Sequence, residues 1–257
     1  MHFRFLKQFI YGIGFLIFFG LFAFGVYSLW FKPVSSCFDH VQNQGEEGID
    51  CGGPCAQACI PPDIKAISVG GIPRLFRTTP SGISIFAEIR NPNGDYAAQN
   101  FAYTFKLYDD QNNILREITG ESFIYAGEIK YLAVFDLASA DATHVQRVEL
   151  VVESPQWVPE AVFKKPQLLV QNSQVSKQES GILVSGRLVN NDSVAIPQIT
   201  IATIFYDQLG QPVGVSKNEV ENVAPGQSQP FSVIHPSLPT ADLSRTAIFL
   251  YGKRPAF

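Results

Sequence analysis

The chain reads as mainly β, with two antiparallel β-sandwiches in tandem behind one transmembrane helix and a small disulfide-rich loop. Three observations predict this. An uncharged stretch runs from Phe9 to Phe31, and all four cysteines fall between Cys37 and Cys59. From Pro61 onward, apolar residues recur at every second position between turn signals.

At about 1.5 Å per residue the Phe9–Phe31 stretch would form a helix roughly 34 Å long, enough to cross a bilayer. It is too long and too aromatic for the core of a signal peptide. Arg4 and Lys7 precede it and Lys32 alone follows closely. The bias of basic residues therefore assigns residues 1–8 to a cytoplasmic tail, 9–31 to the span, and everything beyond to the outside of a cytoplasmic membrane. Tyr27 and Trp30 suit the aromatic belt at the outer interface. Val34-Ser35-Ser36-Cys37 has the outline of a lipoprotein cleavage box. Lys32 and Pro33 intrude on it, however, and lipidation of Cys37 would leave an odd number of cysteines.

Residues 37–59 hold Cys37, Cys51, Cys55 and Cys59. The last three are spaced as one helix face would space them, but Gly52-Gly53-Pro54 opposes a helix interior. A looped knot with two disulfides fits better, in any of three pairings. Zinc held by four thiolates is the competing use, but the spacing lacks paired C-x2-C knuckles. Asp39, Asn43, Glu46 and Asp50 are hard oxygen donors that could take calcium. Their bland alternative is the capping of turns, and their spacing is not that of an EF-hand loop. The stretch resembles a short motif of bacterial exported proteins, C-x-D-x-x-x-N-x-x-E-x-x-x-D-C-G-G-x-C-x-x-x-C. His40 stands where the familiar version has glycine. The resemblance implies an extracytoplasmic location and no activity.

Two β-modules are expected over residues 61–160 and 161–257. Gly82-Ile-Ser-Ile-Phe-Ala-Glu-Ile-Arg-Asn91 lines up with Gly181-Ile-Leu-Val-Ser-Gly-Arg-Leu-Val-Asn190 at an offset of 99. Both have the alternation of a half-buried strand and end on a turn-forming Asn. Phe101–Asp109 corresponds to Ile199–Asp207 after a one-residue slip, and Ala126-Gly127-Glu128 to Pro225-Gly226-Gln227. Ala140-Asp141 corresponds roughly to Ala241-Asp242. Each module is long enough to fold alone. Ser154–Pro159 and Lys165-Pro166 read as a short, stiff linker between them.

Phe105-Lys106-Leu107-Tyr108-Asp109 is similar to the signature of the FxLYD family, and Thr203-Ile204-Phe205-Tyr206-Asp207 keeps its final Tyr-Asp. The resemblance implies two immunoglobulin-like β-sandwiches, akin to the late-embryogenesis-abundant type 2 fold, and no catalytic residues. The Tyr-Asp pair is expected to serve as a strand-end turn.

No chemistry-bearing motif stands out. His2, His40, His144 and His235 are isolated in sequence, and neither G-x-S-x-G, H-E-x-x-H nor a phosphate-binding loop occurs. No enzyme, no cofactor and no metal is expected. Setting aside Arg4 and Lys7 leaves 17 of the 19 basic residues against 23 acidic ones, which gives no footprint for nucleic acid. The expected function is a membrane-anchored extracytoplasmic binding or scaffolding protein with an unknown envelope or extracellular partner. A fixed subunit of an export or transport assembly, or a small-ligand receptor, is the alternative. The loop after Asn91, with Asn93, Asp95 and Tyr96 and its counterpart Asn191-Asp192-Ser193, is the candidate partner contact, Tyr96 being the aromatic anchor.

Overall fold

Helix α1 (His2–Val26) runs through the uncharged stretch and continues as a π-helical turn over Tyr27–Phe31. Helix and turn belong to a computed structural model that describes residues 2–31, 36–77, 82–138 and 144–255. The segment Lys7–Leu29 is long and apolar enough to span a membrane, and none of it is buried by protein. A helix apolar on every side, with nothing packed on it, is solvated better by lipid than by water. The chain divides into two units, residues 1–59 and 60–257.

After the helix, a short looped segment is closed by Cys37–Cys55 and Cys51–Cys59. Gly53 makes the loop possible. It sits at φ +55°, and a Cβ there would lie 2.2 Å from the Gly45 carbonyl oxygen. Any side chain would push the two backbone segments apart.

Within 60–257 the described residues form four three-stranded antiparallel sheets. The first half holds β1 (Ser68–Arg77), β2 (Gly82–Arg90), β3 (Tyr96–Tyr108), β4 (Ile114–Ile124), β5 (Ile129–Ala138) and β6 (Arg147–Pro159). Its sheets are ordered β1-β2-β5 and β4-β3-β6. The second half holds β7 (Leu168–Gln178), β8 (Gly181–Asn190), β9 (Ile196–Tyr206), β10 (Pro212–Val223), β11 (Ser228–His235) and β12 (Asp242–Gly252). Its sheets are ordered β7-β8-β11 and β10-β9-β12, the same order shifted by six strands. In each half the two sheets share one apolar cluster. Ile83, Ile85 and Ile89 of β2 meet Phe101, Phe105 and Leu107 of β3. Ile182, Val184 and Leu188 of β8 meet Ile199, Ile201 and Phe205 of β9.

Two sequence expectations need correction. Ser154–Pro159 is not a linker but the end of β6, with Trp157 opposite Ala98 and Pro159 opposite Tyr96. Pro155 and Pro159 are tolerated because β6 is an edge strand, where a missing N–H leaves no ladder bond broken. The connection is shorter and not free. Glu160 N–H donates to Asp95 O (2.8 Å), and Phe163 stacks on Tyr125 at 4.8 Å. The second correction concerns β2, read as half-buried: it is buried on both faces, and so is β9 of the other half. Phe86 of β2 points away from its own core and meets Ile204 and Val215 of the other half, with Tyr131 and Phe249 packed against them. The halves thus share an apolar face. Ala140-Asp141 lies outside the described residues.

Candidate functional site

Asn91 and Asn190 end β2 and β8 and organise the loops beyond them. Both are fully buried. Asn91 Nδ2 donates to Tyr96 O (2.7 Å) and Tyr125 O (2.9 Å), while its Oδ1 accepts the Asn93 amide (3.0 Å). Asn190 Nδ2 donates to Val194 O (2.9 Å) and Val223 O (2.8 Å), and its Oδ1 accepts the Asp192 amide (3.0 Å). One side chain thereby ties a loop to a neighbouring strand in each half.

The candidate partner loop is therefore braced from within. Asn93 accepts the Lys65 amide (2.9 Å) and donates to Lys65 O (2.8 Å). Asp95 is exposed, and Tyr96 is half-buried at the start of β3. The counterpart loop is bound more tightly. The Asp192 side chain is fully buried; Oδ2 accepts from Arg254 Nη2 (2.7 Å) and Nε (3.0 Å) and from the Gln167 amide (3.1 Å). Burial alone would raise its carboxyl, but the Gln167 amide, Arg254 and the Ser193 amide together hold it below the ordinary value.

The Tyr-Asp pairs close hairpins. Asp109 Oδ1 accepts the amides of Gln111 (2.9 Å) and Asn113 (2.7 Å). Asp207 Oδ1 accepts those of Leu209 (2.9 Å) and Gln211 (2.8 Å). Each carboxylate closes an Asx turn at the end of its strand.

In the cysteine module, the four oxygen donors are spread over different backbone tasks. Asp39 accepts from Ser36 N–H (3.1 Å), Val41 N–H (3.0 Å) and Asn43 Nδ2 (2.9 Å). Asp50 accepts the His40 amide at 3.1 Å and lies 3.0 Å from His40 Nδ1. Buried Glu46 accepts from the Asn43 and Asp50 amides at 3.2 and 3.3 Å. Its other oxygen lies 3.1 Å from Cys55 Sγ. Cys37, Glu46 and Cys55 converge, but both sulfurs are spent in one disulfide, which cannot act as a pair of thiolate ligands. The Cys37 bond likewise leaves that sulfur unavailable for a lipid thioether.

A further site was not anticipated. Where the halves meet, a cleft of about 270 Å3 is lined by Tyr103, Phe123, Phe135, Thr200 and Tyr251, with Lys130 among them. Lys130 is 5% exposed. Its Nζ donates to Phe123 O (2.8 Å) and lies 3.4 Å from the centre of the Phe123 ring and 5.0 Å from that of Tyr251. Burial is the main force pulling this amine down, to about 7; Glu128 acts against it, while Lys165 and Lys253 add to it. Only strand pairing reveals it. Lys130 stands opposite Ile89 as Leu132 stands opposite Ala87, a lysine in the inward register of an alternating strand.

No protein-family description and no curated protein matches the chain. Among solved structures, the chain is similar to the crystal structure of red sea bream transglutaminase, with a TM-score of 0.26 and 13% identity. The match covers 73% of this chain and 29% of that one, so this chain spans under a third of its neighbour's length. A likeness so slight carries no argument about fold or activity.

Proposed function

We propose that this protein is a single-span, membrane-anchored binding or scaffolding protein of a bacterial envelope, with its N-terminus inside, its β-domains outside the cytoplasmic membrane, and no catalysis. The observation that carries the reading is the adjacency of two features. A helix apolar on all sides is followed within a few residues by a module whose four cysteines are all disulfide-bonded. Disulfides persist in oxidising compartments, so the module belongs on the non-cytoplasmic side of the membrane that the helix crosses. The basic residues Arg4 and Lys7 before the span agree with that direction.

Within this reading the two halves are tandem FxLYD-like, immunoglobulin-like sandwiches. Identical strand order, the matched Asn91 and Asn190 networks and the matched Asp109 and Asp207 turns support a repeat. Their work is to carry a contact surface away from the bilayer, with Asn93, Asp95 and Tyr96 at one end loop as the partner contact. Two measurements test the reading. Protease added to intact spheroplasts should remove everything beyond about residue 33, and peptide mapping without reduction should recover the Cys37–Cys55 and Cys51–Cys59 linkages. Protection of the β-domains, or four free thiols, would overturn it. Pull-down from native membranes should recover a protein partner, and Tyr96→Ala should lower that recovery while leaving thermal stability within about 0.5 kcal/mol.

A further inference from the structure

The cleft between the halves has three properties that packing alone does not require. Its walls come from both halves: Tyr103, Phe123 and Phe135 from the first, Thr200 and Tyr251 from the second. Its volume, about 270 Å3, lies just under the range typical of small-molecule sites. Its one deeply buried charge-bearing group, Lys130, makes no ion pair among the described residues. An ammonium carries three N–H donors. One is taken by Phe123 O, and the faces of Phe123 and Tyr251 lie 3.4 and 5.0 Å from the same nitrogen.

We propose that this cleft is a binding site for a small carboxylate with an aromatic or aliphatic body. The carboxylate would take the N–H groups of Lys130 that now face aromatic rings, and the body would lie against Tyr103, Phe135 and Tyr251. Burying an ammonium without a counter-ion is costly, and a carboxylate arriving there relieves that cost with charge-assisted hydrogen bonds. The other charges around the cleft are otherwise engaged. Lys217 is paired with Glu219 at 2.9 Å, Glu121 accepts from Asn100 at 3.5 Å, and Glu128 is paired with Lys165 at 2.6 Å. Lys253 donates to Gln99 O at 3.0 Å.

Lys130 carries its proton below about pH 7 and loses it above. A carboxylate should therefore bind most tightly between pH 5 and 7 and progressively less tightly as the amine is neutralised. This site stands apart from the anchoring and scaffolding reading, because its test needs neither a topology nor a protein partner.

The test uses the full chain in phosphatidylcholine nanodiscs, with empty nanodiscs as the control for partitioning. Phenylacetate and its neutral isostere phenylacetamide are titrated by ligand-observed NMR at pH 6 and pH 9. Phenylacetate should bind at least about tenfold more tightly than the amide at pH 6, the size of effect one charge-assisted hydrogen bond supplies. That preference should shrink at pH 9. Lys130→Met should abolish the preference, and Lys130→Arg, which stays charged, should keep it at both pH values. Should Lys130→Met fail to fold, the pH profiles of wild type and Lys130→Arg still decide the matter. Equal binding of the two probes, no binding of either at millimolar concentration, or a wild-type preference that does not change with pH would overturn the proposal and leave Lys130 as a packing cation.

Discussion

Asn91 and Asn190 each donate to two carbonyls of neighbouring segments, so shortening either removes two hydrogen bonds at once. Asn91→Ala would remove the side-chain donor to Tyr96 O and leave Tyr125 O with the Glu128 amide alone (3.2 Å), and Asn190→Ala would remove the side-chain donor to Val194 O and Val223 O. Each substitution should cost roughly 1–3 kcal/mol for the two lost bonds, measurable by urea denaturation. Lys130 acts on stability in a different way. Its folded value is depressed from 10.5 to about 7, so between those limits the unfolded chain binds the extra proton. Stability should therefore rise with pH across that window and reach its full value only near the unfolded pKa. Above about pH 10 the hydroxyls of Tyr125, Tyr251 and half-buried Tyr131, whose values loss of solvent raises, should reverse the trend, because the unfolded chain ionises first. A thermal-melt series from pH 6 to 11 should show the rise in wild type and a flatter line in Lys130→Met. An equal rise in both would remove Lys130 as the cause.

The strands that matter most as elements are β3 and β9, the central strands of their sheets. Phe101, Phe105 and Leu107 on β3, and Ile199, Ile201 and Phe205 on β9, are at most 2% exposed. Their alternation is what a strand requires to aim one row of side chains at the facing sheet. Leu107→Ala and Phe205→Ala should each cost about 2–5 kcal/mol as cavities that the surrounding sheets cannot close. Chemical denaturation checks both, and a loss well below that range would mean that the site collapses around the missing side chain. These inward positions, the hairpin aspartates and the terminal asparagines are all legible in the sequence, because each acts through neighbours only a few residues away or through a period of two. The outward row of β9 was less legible. Thr200, Ala202 and Ile204 alternate with the inward row, and nothing within the strand shows that the other half covers Ile204.

For residues 60–257 as a whole, the decisive feature is the face shared by the two halves. Phe86 stacks on Tyr131 at 5.1 Å, and Tyr131 meets Phe249 edge-on at 4.7 Å across the junction. Polar ties surround that contact. The Tyr125 hydroxyl donates to Gly252 O (2.7 Å), Tyr251 accepts the Tyr131 amide (3.1 Å), and Arg74 donates to Gln211. A fragment of residues 163–257 would leave Ile204, Val215 and Phe249 uncovered. It should self-associate in sedimentation experiments even if its own core forms. In the full chain the β-region should unfold in a single calorimetric transition, and the double substitution Phe86→Ser and Phe249→Ser should split it in two. Two transitions already present in wild type would show that the halves are energetically independent.

Local pattern alone was enough for the apolar helix, the cysteine module and the β-rich remainder. Each depends on composition or on spacing within a single segment: lack of charge over one span, four thiols with helix-breaking glycines, alternation along a strand. Which cysteines pair, where β6 ends, that β2 and β9 are covered on both sides, and that Lys130 faces a cleft all depend on residues distant in the chain. Tyr125 and Gly252 or Phe86 and Ile204 meet only after the sheets have formed. No periodicity within one strand encodes what a second sheet will press against it, because the contact exists only once both sheets have been built and brought face to face.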